Sequence, residues 1–277
     1  MDTKVETEME WFAHHVAQGR YHVHAAPCLL TVDMAHELIA RNPDNRHVSQ
    51  RRVEIYANDI RADRWAENGE TIVVSRDGLL NDGQHRCHAV IMAGMAIPAI
   101  IVFGVERDSR TTTNQGKTKG AGDYAGMRGI ANANNIAAIA RLSIAFDQGM
   151  AIETSRVSHS AVLEYITENH DELAEAWRKV EKYRERLKVL CSPSTVAFCY
   201  MACARVNRDA ADEYFQQLCS GEGLLAGDPA LVVRNKLMQV GKARGPKIET
   251  IFHGWNAFRR GGQRTLIRIT GNLPALA

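Results

Sequence analysis

The 277-residue chain has no Cys-x-x-Cys pair, no repeat of fixed period, and no apolar run near the roughly 20 residues that a membrane-crossing helix needs. It has little net charge, +2, so no global field draws it to a polyanion. Its six cysteines, at 28, 87, 191, 199, 203 and 219, lack metal-ligand spacing, and Cys199 and Cys203 stand four apart in an apolar helical pattern. They read as core thiols. The acidic start, with Asp2, Glu6, Glu8 and Glu10, is unlike a secretion signal, and the expected compartment is the cytoplasm. A P-loop is also excluded. Gly116-Lys117-Thr118 has Thr111 five residues ahead, where that loop needs glycine. No compact group of acids suited to two metals is visible, which counts against a nuclease.

What is present is a chain of ordinary globular composition, 45% hydrophobic and 24% charged, long enough for two cores. Helical spacing of Trp11, Phe12, His15 and Val16 predicts an opening helix over 5–18 that stops at Gly19. Tyr21, Val23 and Ala25 alternate with His22 and His24, which predicts a strand with one polar face; Pro27 to Leu30 reads as a second extended piece. Thr31 and Ser49 suit helix N-caps, and Asn42-Pro43 a helix stop. Ile72-Val73-Val74, the turn Asp77-Gly78 and Leu79-Leu80 form a predicted hairpin, and 97–103 a buried strand with proline near its start. From about Asn132 onward the pattern is helical throughout, with Thr195 to Ala204 as the central apolar helix.

The densest chemistry is Asp82-Gly83-Gln84-His85-Arg86, placed between the return strand and an Ala-rich helix that closes at Gly94. Such a junction points backbone N–H groups and the positive end of a helix dipole at one spot, with Arg86 and His85 beside it. A phosphate fits those donors. Arg86 would pair it bidentately, His85 would donate to a neighbouring oxygen, and Gln84 would orient a nucleotide or water. The alternative is a helix start whose arginine meets a nearby carboxylate. Asp82 can hold Mg²⁺, act as a base, or only cap the helix.

This strand, Asp-Gly-Gln-His-Arg turn and helix resembles the phosphate-binding element of the ParB/sulfiredoxin superfamily, written there as Gly-x-x-Arg or Gly-Cys-His-Arg. The likeness runs from about Pro27 to Gly129, taking in Asn45-Arg46, Ser49 to Val53, Tyr56 to Ile60 and Trp65, and is nearest to ParB-like proteins of phages and mobile elements. It implies an α+β nucleotide-binding domain over 1–129 with a small mixed sheet, followed by an all-α domain over 130–277. It further implies a nucleoside triphosphate, ATP or CTP, with Mg²⁺; a DNA-linked role; and room for a homodimer. Arg46 and Asp59 lie where the resembling proteins face their nucleotide, so Asp59 joins Asp82 as a candidate catalytic acid, with Glu70 just ahead of the hairpin. The function so implied is phosphoryl transfer or hydrolysis coupled to DNA; the alternatives are a non-catalytic DNA-binding module switched by nucleotide, and a nuclease. One departure stands out. Where relatives carry Asp-x-Gly-x-x-Arg, this chain has Asn114, Gly116 and Lys119, which puts in doubt any catalytic part of that acid.

Charge is uneven along the chain. Between Arg234 and Arg268 nine Lys or Arg face a single acid, Glu249, with glycines at 241, 245, 261 and 262. A glycine-interrupted basic segment of this kind can follow a phosphate backbone. Lys242, Arg244, Lys247, Arg259, Arg260 and Arg264 are the nucleic-acid candidates there, and Lys117 and Lys119 those of the Gly-rich loop; a solvated basic face is the plainer alternative.

Overall fold

The computed structural model describes residues 7–45, 47–112, 119–153, 156–263 and 265–277, excluding the side chains of 110–112. Arg46, Asn114, Gly116, Lys117 and Arg264 lie outside the described residues. The fold is mixed α+β, with thirteen helices and one four-stranded sheet among the described residues. The chain divides into two compact units, Met1–Thr118 and Lys119–Ala277. The helix Ala121–Met127 lies in the second of these units.

The first unit begins with α1 (Glu8–Gly19), opened by a Thr7–Glu10 capping box, and continues into β1 (His24–Leu30). Next come α2 (Val32–Ala40) and α3 (Gln50–Arg61), whose first turns are capped by the Thr31 and Ser49 hydroxyls as their positions predict. The hairpin β2 (Ile72–Ser75) and β3 (Leu80–Asp82) leads through Gly83 into α4 (Gln84–Ala93), then β4 (Ile97–Val105) and a 3₁₀ turn at Arg107–Thr112. The strand order is β1-β4-β2-β3. β4 runs antiparallel to β1 and parallel to β2, and β2 pairs antiparallel with β3.

One sheet face carries Ala26, Leu30, Ile72, Val74, Leu80, Ile101 and Phe103 into a core shared with Phe12, Met34, Leu38, Val53, Ala57, Cys87 and Val90 of the helices. Pro98 is tolerated in β4, although that strand is interior, because β2 joins it only from Ile101 onward. The β1 expectation needs correcting. A single strand runs through Pro27, Tyr21 and Val23 are exposed, and His24 turns inward against the aromatic rings of α1 and β4. Ring stacking on Phe103 reverses the polar-out reading of this strand.

The second unit comprises α5 (Ala121–Met127), α6 (Ala133–Asp147), α7 (His159–Glu168), α8 (His170–Glu181), α9 (Arg184–Leu187), α10 (Pro193–Val206), α11 (Arg208–Ser220), α12 (Pro229–Gln239) and α13 (Arg244–Arg259). The run at 195–204 forms the middle of α10, buried on all sides between α6, α8, α11 and α13. Residues 265–277 have no regular structure, yet they are fastened to α13. Glu249, 1% exposed, accepts from Thr270 N, Thr270 Oγ1 and Gly271 N, while Asn256 bridges Ala275 O and Ala277 N. Burial alone would raise the Glu249 carboxyl, but the Thr270 and Gly271 bonds, with His253 nearby, hold it below the usual carboxylate range.

Candidate functional site

The β3–α4 junction is built around Gly83. Its φ of 109° lies in the region that favours glycine, and a Cβ there would stand 2.9 Å from Ile72 Cγ1. Gly83 is the N-cap residue of α4 and supplies no capping side chain, unlike Thr7, Thr31 and Ser49 on α1 to α3. The positive end of the α4 dipole therefore sits at the end of β3 without the hydroxyl that normally occupies it.

The motif's side chains are drawn into the protein. Gln84 and His85 are 2% and 7% exposed. Asn42 Nδ2 donates to Gln84 Oε1 at 3.1 Å, and the Ser49 N–H donates to His85 Nε2 at 3.0 Å. The ring nitrogen that would have donated to a phosphate is thus an acceptor for α3. Arg86 reaches back to the chain entering β2, donating to the carbonyls of Glu70 and, at 2.8 Å, Thr71, with Asp82 Oδ2 at 3.8 Å. That is closer to the plainer alternative, an arginine satisfied within the fold, than to one presented to a ligand. Asp59 is buried on α3, where its Oδ1 accepts from Arg64 Nε at 3.0 Å. Of Glu70, it is the backbone carbonyl that takes part.

Asn81, Arg107 and Asp44, which were not singled out in the sequence, complete the junction together with Asn42 and Asn45. Asn81, 5% exposed, donates through Nδ2 to Glu106 O at 3.2 Å and accepts through Oδ1 from Arg107 Nη1 at 2.8 Å. Arg107 also donates to Leu80 O at 2.7 Å and pairs with Asp44, and Asn45 Nδ2 reaches Asn81 O at 3.4 Å. Asn42 Oδ1 is buried with no partner among the described residues. The only sequence signal for this group was the density of Asn and Asp at 42–45; Asn81 and Arg107 become partners only when β3 and the end of β4 lie side by side. Beside Arg86, a depression lined by Trp65, Asn68, Glu70, Pro98 and Ile100 encloses room for about one water.

Titration separates two neighbours of the motif. Burial pushes the Cys87 thiol up to about 12 despite Arg86 next to it, so it is not a thiolate nucleophile. Burial also lowers His88, which favours its neutral form.

The described basic residues between 234 and 268 do not form one face. Lys247 Nζ donates to Leu190 O at 2.7 Å, Arg234 Nη1 to Leu218 O at 2.6 Å, and Arg259 lies over Trp255 and bonds Ala277 O. These cations finish the fold. Lys242 and Arg244 are exposed at one end of α13 and Arg260 at the other, about 24 Å apart at 1.5 Å per residue. The loop expected over 241–245 is shorter than its glycines suggested, because α13 starts at Arg244 and the Glu153 carboxylate accepts from Gly245 N. Lys119 is exposed ahead of α5. No family model, curated protein or solved structure matches the chain.

Proposed function

We propose that the first unit is a ParB-like module that binds the phosphates of a nucleoside triphosphate at the start of α4 and acts as a nucleotide-dependent switch on DNA. The observation that carries this reading is Gly83, left-handed and without a capping side chain, at a strand-to-helix turn on which Asn42, Asn45, Ser49, Asn81 and Arg107 converge. Anion contact in this reading falls mainly to the backbone of that turn. His85 and Arg86 act as its scaffold, since their described bonds hold α3 and the lead-in to β2. Binding is favoured over turnover because Asp59 accepts from Arg64, and Asp82, 32% exposed in its side chain, lies 3.8 Å from Arg86. Asp82 would supply one oxygen to a Mg²⁺ ion, whose chemistry there would be charge neutralisation. Thiol chemistry of the sulfiredoxin kind is disfavoured: Gln84 stands at the cysteine of the Gly-Cys-His-Arg version, and Cys87 is buried and protonated.

The test is the full chain with radiolabelled ATP and CTP, with and without Mg²⁺ and DNA, scored for both retention and product. Retention without product, persisting in Asp82→Ala, is the expected result. Turnover abolished by Asp82→Ala would replace the switch with an NTP-dependent enzyme; no retention of either nucleotide at millimolar concentration would sink both.

A further inference from the structure

The sheet of the first unit has a second face. Register sets Ala25 beside Val102, Pro27 beside Ile100 and Leu29 beside Pro98, with Val102 beside Val73 of β2 in turn. The residues that alternate with these point into the core, so these seven side chains point away from it. None of them is buried, and Leu29 is 56% exposed, as is Val23 just ahead of β1 at 59%. An antiparallel sheet covered on one side normally alternates apolar-in with polar-out. Here both faces are apolar, and none of the seven side chains carries a charge or a hydrogen-bonding group. The apolar face ends at β3, where Asp82 stands opposite Val73.

The edges of this sheet are closed to strand addition. Pro27 and Pro98 have no amide hydrogen and fall in the pairs 27–100 and 29–98, two steps apart in the β1–β4 ladder. That ladder keeps all its bonds only when these are its non-hydrogen-bonded pairs. The Pro27 nitrogen then points to the open edge of β1, where an added strand would find no donor. At the opposite edge β3 is three residues long.

We propose that the outer face of β1, β4 and β2 is a self-association surface, on which a second copy of this chain packs face to face about a two-fold axis. Charge selects this occupant. A face without a cation offers nothing to a phosphate backbone, and a lipid headgroup layer favours an apolar face rimmed by Lys and Arg. A two-fold axis sets the patch against itself, so an uncharged face meets an uncharged face and no charge is stranded. Two such faces suit aligned sheet packing, with strand directions about 30° apart and sheets about 10 Å apart. Area sets the strength. From Val23 to Leu29 at about 3.3 Å per residue, over three strands about 4.8 Å apart, the face covers roughly 330 Å², under half of the roughly 800 Å² per partner typical of a stable interface. The pairing is therefore weak and reversible.

Sedimentation of the full chain tests it, without nucleotide or DNA, so that the outcome is independent of the phosphate reading. The average mass should rise from monomer toward dimer between about 10 µM and about 1 mM. Over the same range the ¹³C methyl resonances of Val23, Leu29, Ile100 and Val102 should shift, and those of Val189 and Leu225, 77% and 73% exposed in the second unit, should not. Leu29→Lys, at an exposed position, should abolish both changes. A monomer throughout, a dimer that persists in Leu29→Lys, or shifts confined to Val189 and Leu225 would overturn the proposal. So would a monomer that floats with phosphatidylcholine vesicles, which would give the face to lipid. Should Leu29→Lys fail to fold, the methyl shifts of the unmodified chain decide alone.

Discussion

In the first unit the buried Asn81, Gln84 and His85 crowd one strand-to-helix junction, and their partners come from separate stretches of chain at 42, 49 and 106–107. In the second unit Glu249 and Asn256 are as deeply buried, yet every bond made by their side-chain oxygens and amide goes to one segment, 270–277. Buried polar groups must find partners in either case. The difference lies in arrangement: convergence from several segments gathers polar groups at one junction, as the proposed ligand site requires, whereas serial bonding to one segment makes a fastening. Polarity alone would not have told the two units apart.

The comparison breaks most sharply at the glycines of closest approach. At Gly104, with φ of 87°, a Cβ would stand 2.5 Å from Gly19 O and 2.7 Å from His22 O, and backbone cannot rotate aside. Gly104→Ala should cost the first unit about 4 kcal/mol. At Gly254 the obstacles are Val233 Cγ2 at 2.2 Å and Tyr214 Oη at 2.4 Å, side chains that can shift only against the packing of a filled core, so Gly254→Ala should cost the second unit about 3 kcal/mol. Urea titration followed at the tryptophans of each unit, Trp11 and Trp65 against Trp177 and Trp255, measures both; equal losses would mean that the backbone collision has been relieved.

Of like size is Glu249→Ala. It strands Thr270 N and Gly271 N and should lower the second unit's stability by about 3 kcal/mol, with residues 265–277 becoming open to limited proteolysis. The Glu249 carboxyl is held below its unfolded value, so its contribution is complete above the ordinary carboxylate range and is lost as pH falls through the folded value. Glu249→Gln should therefore flatten the acid limb of that unit's stability profile. Arg86→Met should follow at about 2 kcal/mol in the first unit without any nucleotide, because the Glu70 and Thr71 carbonyls lose their donor. A full-strength apo protein would return Arg86 to the phosphates. Smallest of all, Lys242→Ala with Arg244→Ala should leave stability within about 0.5 kcal/mol. If DNA runs over that end of α13, the same pair should reduce the slope of log K against log salt by about 2.

Much of the first unit could be read from the chain. Thr31 and Ser49 cap their helices, Asp77-Gly78 turns the hairpin, and Gly94 closes α4, because each is a local requirement met by one residue type. The site was legible as a place, not as a set of contacts. Gly83 and the turn around it were evident, but whether Arg86 faces a ligand or the Glu70 carbonyl depends on where the 65–71 segment passes, which no local pattern encodes. His24 shows the same limit. Its alternation with Val23 was real, and the direction of the inner face was not contained in it, since a period of two is satisfied by either side.

Local chemistry, then, sufficed for the α+β order of elements, the caps and turns, and the strand break at Gly83 ahead of α4, because backbone sterics and first-turn hydrogen bonding act over a few residues. Tertiary packing alone decided that the described basic residues between 234 and 268 do not form one patch, that Asn81 meets Arg107, and that His15 meets His24. Those outcomes depend on which desolvated donor finds which acceptor across the fold, and that choice exists only once the elements have come together.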